Sequence, residues 1–516
     1  MKNLPIGVHT FERIVTEQNL YVDKTEYIYR LITTGTTYFF SRPRRFGKSL
    51  LLSTLQALFE GRRDLFEGLW LAEQTDYEFP SYHVLLLDMS KADIETPDQF
   101  RTYLLNMLAG LADRFGVTLR HQGYRSQFAE LIEKIGQEKR VVVLVDEYDK
   151  PMLDHLTTPY RDEIKLILKG FYTAIKASDP YLRFVMLTGV TKFSKVSVFS
   201  DLNNLTDISM FGQYAGLLGI TQAELEIYFA DRTQALADVE ETSHIETLKK
   251  IKYWYNGYRF SDKPVYVYNP FSLLLLLQYQ TFRFHWFETG TPTFLLELIK
   301  QTPSSWRLLP EEKWATADEF SAYEVEHMQP IPLLFQSGYL TISEVVEQGH
   351  VPIYRLDYPN YEVQRAFLSE LLRSFSVIPQ DGRHIFRLSR YFEQGQIDEA
   401  MEELKIFFAN IEYDLHLKYE KYYQTIFFAI FQLLGFNIKT EVKTNRGRVD
   451  AMVELPDTIY LFEFKLFDTA SAALTQIKTA KYFQRYLSQG KEIMLIGVAF
   501  DAGEKNIGDW QVEQYA

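Results

Sequence analysis

No cysteine occurs in this chain of 516 residues. That absence rules out disulfides, thiolate nucleophiles and cysteine-bound zinc, and it suits a reducing cytoplasm. Positive charge is in deficit too: 55 Lys and Arg face 68 Asp and Glu, a formal net charge of −13. A surface that coats nucleic acid all over is thereby excluded, so any contact with DNA or RNA is confined to a local groove. Long apolar runs are also lacking. The longest aliphatic stretch, Leu273 to Leu277, falls far short of the roughly 20 residues that span a bilayer, and Met1 to Tyr27 holds no apolar leader core. A cytoplasmic protein with no membrane partner is expected.

Aromatics, in contrast, are plentiful at 15%, and most of the 34 Tyr and 39 Phe are expected in cores. At about one domain per 150 residues, the length calls for three or four domains. The chain is organised around Arg42-Pro43-Arg44-Arg45-Phe46-Gly47-Lys48-Ser49, which follows the apolar run Tyr38-Phe39-Phe40 and opens the helical pattern Leu50 to Leu55. Strand, short loop ending Gly-Lys-Ser, then helix is the setting of a phosphate-binding loop. Gly47 lets the backbone approach a phosphate, Lys48 reaches the β and γ oxygens, and Ser49 offers a hydroxyl to Mg²⁺. The candidate nucleotide site is therefore Arg44, Arg45, Phe46, Gly47, Lys48, Ser49 and Leu50. In the usual G-x-x-x-x-G-K-[ST] pattern the first glycine would stand at position 42, which is Arg42 here, with Pro43 stiffening the turn.

Val141-Val142-Val143-Leu144-Val145 reads as a β-branched strand buried on both faces, delivering Asp146 and Glu147 at its C-terminal edge. Asp146 would hold Mg²⁺, and Glu147 would polarise the attacking water as a general base. Further strands are expected at Tyr82 to Asp88 and Arg183 to Thr188, with helices over Glu26 to Ile32 and Pro97 to Phe115. Asp23 is placed to cap the first of these helices, with lining of a nucleotide pocket as the lesser alternative. Thr188 and Thr191 stand at a neighbouring strand tip, where a γ-phosphate would be sensed.

These pieces together resemble the AAA-ATPase-like family: Tyr21-Val22-Asp23-Lys24-Thr25, the Arg42–Leu50 loop with Arg in place of the first Gly, Val145 to Pro151, and Thr188-Gly189-Val190-Thr191-Lys192-Phe193. The resemblance implies a P-loop parallel-sheet ATPase domain over 1–220 that binds ATP with Mg²⁺, and a helical lid over 221–301. Within the lid, Trp254 to Tyr258 and Val267 to Pro270 read as turns. Over 302–375 a helix ending at Gly338, a two-stranded wing and a helix from Tyr361 look like a winged-helix module. No basic recognition helix is present, which favours a mechanical role over DNA binding. A polar helical connector follows over 376–410.

The last stretch, 411–516, carries a second chemical centre. An apolar helix from Glu420 ends at Gly435; then come Gly447-Arg448-Val449-Asp450, a turn at Pro456-Asp457, and Phe462-Glu463-Phe464-Lys465. Strand period places Glu463 and Lys465 on one face. A two- or four-residue turn sets Asp450 opposite Glu463, whereas a three-residue turn points it away. Two carboxylates beside a lysine are costly to bury without a cation, and Asp450, Glu463 and the backbone carbonyl of Phe464 would hold Mg²⁺ while Lys465 orients the attacking water.

Asp followed by Glu-x-Lys resembles the PD-(D/E)XK nuclease superfamily, here with Ala473 to Ile477 and Ile496 to Phe500 as further matching pieces. The resemblance implies a restriction-endonuclease-like α/β fold, a catalytic set of Asp450, Glu463 and Lys465, and Mg²⁺ or Mn²⁺ as the metal. It also brings in Gln476 as a catalytic candidate. Related nucleases pair that Gln with a Tyr four positions on; Tyr482 is six on, a spacing that cannot share a helix face.

The resulting expectation is an α/β protein in which ATP turnover gates a Mg²⁺-dependent nuclease, with DNA ahead of RNA as partner. Defence against, or maintenance of, mobile DNA follows by family analogy alone. A homo-oligomer stays open. The alternative is a regulatory NTPase switch whose C-terminal domain binds nucleic acid without cutting it. A small-molecule kinase is disfavoured by the missing acceptor-site motif.

Overall fold

In the computed structural model the described residues are 1–92, 94–192, 204–286, 313–320, 330–375, 383–409, 420–434, 436–444, 447–501 and 503–515. Phe193, Gly435 and the expected boundaries near 301, 376 and 410 lie outside them. The chain divides into two compact units, 1–290 with 312–363, and 291–311 with 364–516.

The first unit is built on a parallel sheet of β1 (Thr37–Ser41), β2 (His83–Asp88), β3 (Val141–Asp146), β4 (Leu182–Gly189) and β5 (Thr206–Asp207), in spatial order β2-β3-β4-β1-β5. Every pairing is parallel. All six residues of β3 are buried, as the β-branched run predicts for a strand covered on both faces. Helices supply the cover: Pro97–Arg114 starts with a Thr96/Gln99 capping box and Pro at its first turn, and Lys48–Phe59 packs its Leu52, Leu55 and Phe59 into the core with Phe184 and Met186. Because β4 lies between β1 and β3, Thr188 at its tip stands between the loop that follows β1 and Asp146.

Helices Gln222–Tyr228, Ala230–Val239, His244–Tyr255 and Pro270–Tyr279 follow, with a small ladder of β6 (Ile220–Thr221) and β7 (Val267–Tyr268). Asn269 caps the last helix through Phe271 N–H and Ser272 N–H. Beyond it, helix Pro330–Ser337 runs into an antiparallel sheet of β8 (Lys313–Thr316), β9 (Thr341–Gln348) and β10 (Val351–Asp357), ordered β8-β10-β9. The expected two-stranded hairpin is thus part of a three-stranded sheet; Lys313 to Thr316 is too short to show strand alternation. Asp23 meets the capping expectation from one position further out than the N-cap. Lys24 occupies the N-cap of helix Thr25–Thr34, and Asp23 accepts Thr25 N–H, Thr25 Oγ1–H and the distant Trp70 N–H.

The second unit carries a mixed sheet of β11 (Asn437–Thr444), β12 (Gly447–Glu454), β13 (Thr458–Lys465), β14 (Glu492–Asp501) and β15 (Asn506–Gln514) in sequential order. Only β13 and β14 run parallel, so helix Ala470–Ala480 crosses over between them. On one face Tyr460, Phe462 and Phe464 meet Phe392, Phe427 and Phe431 of helices Arg383–Glu393 and Glu420–Leu433. On the other, Ile459 and Leu461 pack with Leu474 and Ile477 of the crossover helix.

Candidate nucleotide and nuclease sites

Arg45 at φ 66° and Gly47 at φ 94° put the front loop into left-handed backbone, the kind of alternation that turns successive N–H groups toward one point. Lys48 is buried and donates to the Arg42 carbonyl (2.9 Å) and the Pro43 carbonyl (3.0 Å). Burial pulls its ammonium below the usual lysine range, while Asp146, Glu147 and Asp149 pull the other way. Arg44 adds positive charge felt by Lys48 and Glu147.

At the β3 tip Asp146 Oδ1 accepts the Thr188 hydroxyl (2.9 Å) and Glu147 N–H (3.0 Å). Glu147 takes a left-handed φ of 48°, and burial raises its carboxyl. Asp149 was not expected to matter, yet it is 1% exposed and accepts Val190 N–H, Thr191 N–H and the Thr191 hydroxyl. It pins the β4 tip to the β3 tip, and it places Thr191 on Asp149 while Thr188 serves Asp146. Nothing in a lone Asp three residues past a strand signals such a pin.

Arg42 does not act as a stand-in for glycine by being small. Its guanidinium is sandwiched 4.4 Å from the Phe40 ring and 4.3 Å from the Phe260 ring, and it donates to the Ser209 carbonyl at 2.7 Å. Desolvation pushes it down to about 9. Phe46 is edge-on to Tyr258 and Phe260, so the aromatic turn packs on the loop. Arg45 lies over Phe271 at 4.7 Å, and Asn269 donates to the Arg44 carbonyl at 3.4 Å. Pro43 sits against Gly338, at φ 89°: a Cβ there would fall 2.7 Å from Pro43 Cγ.

Beside Gly47 lies a cavity of about 110 Å³, walled mainly by apolar side chains including Val22, Leu50, Leu218, Pro270 and Leu274. Lys24 stands at its edge, tied to Glu224 (2.6 Å) and the Gly216 carbonyl (2.8 Å). Leu50 thus contributes to a wall, and Tyr21, Val22 and Lys24 line the same space, whereas Asp23 does not. Leu217-Leu218-Gly219, with Gly219 at φ 87°, is the part the sequence reading missed. Ser49 is half-buried in the first turn of helix Lys48–Phe59.

In the second unit, Leu455 N–H bonds the Thr458 carbonyl at 2.8 Å around Pro456-Asp457. The turn is a two-residue one and the register is even. Ala451 pairs with Phe462, which sets Asp450 across from Glu463. There the ladder opens, and Asp450 Oδ2 accepts the Phe464 N–H at 2.8 Å. Glu463 is 2% exposed. Its Oε1 accepts from Lys465 Nζ at 3.2 Å and from Gln476 Nε2, while Oε2 is buried with no hydrogen-bond partner. Burial pushes the Glu463 carboxyl up, the nearby Asp450 charge pushes it further, and Lys465 opposes both.

The orphaned Oε2 beside a second carboxylate fits a divalent cation, since an unsatisfied buried carboxylate oxygen is otherwise unfavourable. Among the described residues no group of three or more His, Cys, Asp or Glu gathers into a metal cage. Two carboxylates with water and a carbonyl suit Mg²⁺, which keeps much of its hydration.

Gln476 and Tyr482 need correction. They do line one groove, because the helix ends at Ala480 and Lys481, at φ 52°, turns the chain back. Tyr482 also closes on the start of β12: a Cβ at Gly447 would lie 2.9 Å from its hydroxyl. The six-residue spacing was read as one continuous helix, which it is not.

Comparison with known proteins agrees with this division. A family model described as predicted AAA-ATPase matches residues 5–199, and one for the PD-(D/E)XK nuclease superfamily matches residues 418–510. A protein of Azotobacter chroococcum mcd 1, named as an uncharacterized protein in the vnfD 5′ region, is 39% identical over 528 residues, covering 99% of each chain. Among the described residues no helix is long and apolar enough to cross a membrane. The chain belongs to the AAA-ATPase-like family and carries a C-terminal domain of the PD-(D/E)XK nuclease superfamily.

Proposed function

We propose that the protein binds and hydrolyses ATP at the front loop and cleaves nucleic-acid phosphodiesters at the Asp450–Glu463 centre, the first activity gating the second. The observation that carries the nuclease reading is the buried, half-satisfied Glu463 carboxylate facing Asp450 with Lys465 and Gln476 on its other oxygen. Mg²⁺ or Mn²⁺, bound by Asp450, Glu463 and the Phe464 carbonyl, would neutralise phosphate charge and lower the pKa of water. Asp450 is held by Phe464 N–H and Glu463 by Gln476, so neither carboxylate has to reorganise. Lys465 orients the water that attacks in line with the leaving oxygen.

At the front, the apolar cavity takes the base and the Arg44–Ser49 loop the phosphates, with Lys48 exchanging its two loop carbonyls for phosphate oxygens. Ser49 and Asp146 would hold Mg²⁺ there. Glu147, whose carboxyl is raised by burial, is suited to accept a proton from the attacking water. The helix Pro330–Ser337 with β9 and β10 supports the winged-helix reading, and the contact of Gly338, just past that helix, with Pro43 supports a mechanical role.

The test is incubation of the purified protein with labelled DNA and RNA, with and without Mg²⁺, Mn²⁺ and ATP. Cleavage that disappears in Asp450→Ala is expected. Binding without cutting in any metal would sink this reading and favour the regulatory switch.

A further inference from the structure

The turn that leaves the catalytic strand holds Leu466, Phe467 and Asp468. Leu466 is buried, but Phe467 is 80% exposed. Single exposed apolar residues are common and by themselves mean little. This ring is set apart by its position: it stands two residues after Lys465 and two before Thr469, where a groove begins.

That groove, of about 840 Å³, is lined by Thr469, Ser471, Thr475, Gln476, Thr479 and Tyr482, with small alanines between them. Ser471, Thr475 and Thr479 recur every four residues and so share one face of helix Ala470–Ala480. Gln476 both lines the groove and donates to Glu463, which makes the groove continuous with the candidate metal centre. No carboxylate lines it, in a chain whose formal net charge is −13. Exposed Lys481 follows at its far end. Thr475 donates its hydroxyl to the Ser471 carbonyl at 2.7 Å, but its oxygen and the other hydroxyls still give a polar face without negative charge, which suits a sugar–phosphate chain.

We propose that Phe467 is a base-stacking residue that seats an unpaired nucleotide beside the scissile phosphate, with the hydroxyl face of helix Ala470–Ala480 carrying the strand. The substrate is then a single-stranded or frayed polynucleotide. In an intact duplex the base faces are covered by their neighbours, so an exposed phenyl ring has nothing to stack on; in an unpaired strand every base offers a free face. The inference rests on the nuclease reading above and adds the substrate class to it.

The experiment compares full-length wild type, Phe467→Ala, Phe467→Trp and Thr475→Val/Thr479→Val in Mg²⁺, with and without ATP. The substrates are labelled single-stranded DNA, single-stranded RNA, blunt duplex and duplex with a frayed end. Wild type is expected to cut unpaired strands about ten-fold or more faster than blunt duplex. Phe467→Ala is expected to lose about ten-fold on unpaired strands, the size of one base stack, with Phe467→Trp retaining activity. The double valine variant should raise KM more than it lowers kcat. The two single-stranded arms show whether DNA or RNA is the source. Since the ring is exposed, Phe467→Ala should melt at the wild-type temperature. Equal rates on duplex and single strands, or an unaffected Phe467→Ala, with Asp450→Ala dead, overturns the inference and leaves the nuclease reading standing. A Phe467→Ala variant that changes oligomeric state but not cleavage assigns the ring to a protein contact and also overturns it. No cleavage of any substrate by wild type removes the nuclease reading and the inference with it.

Discussion

Glu463 on β13 and Gly497 on β14 are direct neighbours in the parallel ladder, and the missing side chain at 497 lets the crossover helix lie on the sheet. A Cβ there would stand 2.6 Å from Leu474 N and closer still to the Ala470 carbonyl. Helix Ala470–Ala480, packed at that close approach, brings Gln476 to Glu463. Gly497→Ala is expected to lift the helix, destabilise the protein by about 1–3 kcal/mol and cut cleavage by about 10²-fold. Thermal melting and initial rates check it; wild-type rates at wild-type stability would show that the helix has slack.

Gln476 donates to the Glu463 carboxylate and so holds one of the two proposed metal ligands. Gln476→Ala is therefore expected to lower cleavage by about 10–100-fold, as loss of an outer partner does, and to weaken activation by Mg²⁺ in parallel. Titration of rate against Mg²⁺ separates this from a folding defect. An unchanged half-saturating Mg²⁺ concentration counts against it.

Arg42 is clamped between Phe40 and Phe260. Restoring the glycine of the usual phosphate-loop pattern, Arg42→Gly, removes a desolvated cation–π pair worth about 2 kcal/mol and leaves a void. The expected result is a lower melting temperature and weaker ATP binding by calorimetry. Arg42→Lys should not rescue either, because the planar stack is lost.

Glu130 accepts Arg120 N–H and His121 N–H and pairs with Lys134 at 2.8 Å. The Lys134 bond first, then the His121 N–H, lower its carboxyl to about 2. A depressed acid stabilises the fold above its unfolded value near 4.5 and ceases to as pH falls toward 2. Glu130→Gln should therefore melt below wild type at pH 7, with the gap closing between pH 5 and pH 2. A gap that is constant with pH refutes the assignment.

Much of this was legible beforehand because the signals are local. The run Val141 to Val145 announces a strand buried on both faces, and Gly-Lys-Ser after Tyr38 to Ser41 announces the loop. The Pro456-Asp457 turn left its register open between even and odd, and the Leu455–Thr458 bond settles it. What stayed hidden depends on residues far apart in the chain. Asp149 meets Thr191, Arg42 meets Phe260, and Gln476 and Tyr482 meet around a left-handed Lys481 that no helix periodicity foretells. Tertiary proximity, not propensity, makes those pairs.

The fit of Pro43 against Gly338 has a mechanical meaning. With no space between them for even one methyl group, the Arg42–Ser49 loop and the residue that follows helix Pro330–Ser337 are in direct contact, and neither can shift toward the other. Any side chain at 338 would have to displace the Pro43 ring or the helix end, so Gly338→Ala is expected to disturb the Arg42–Ser49 loop and the start of β9 together.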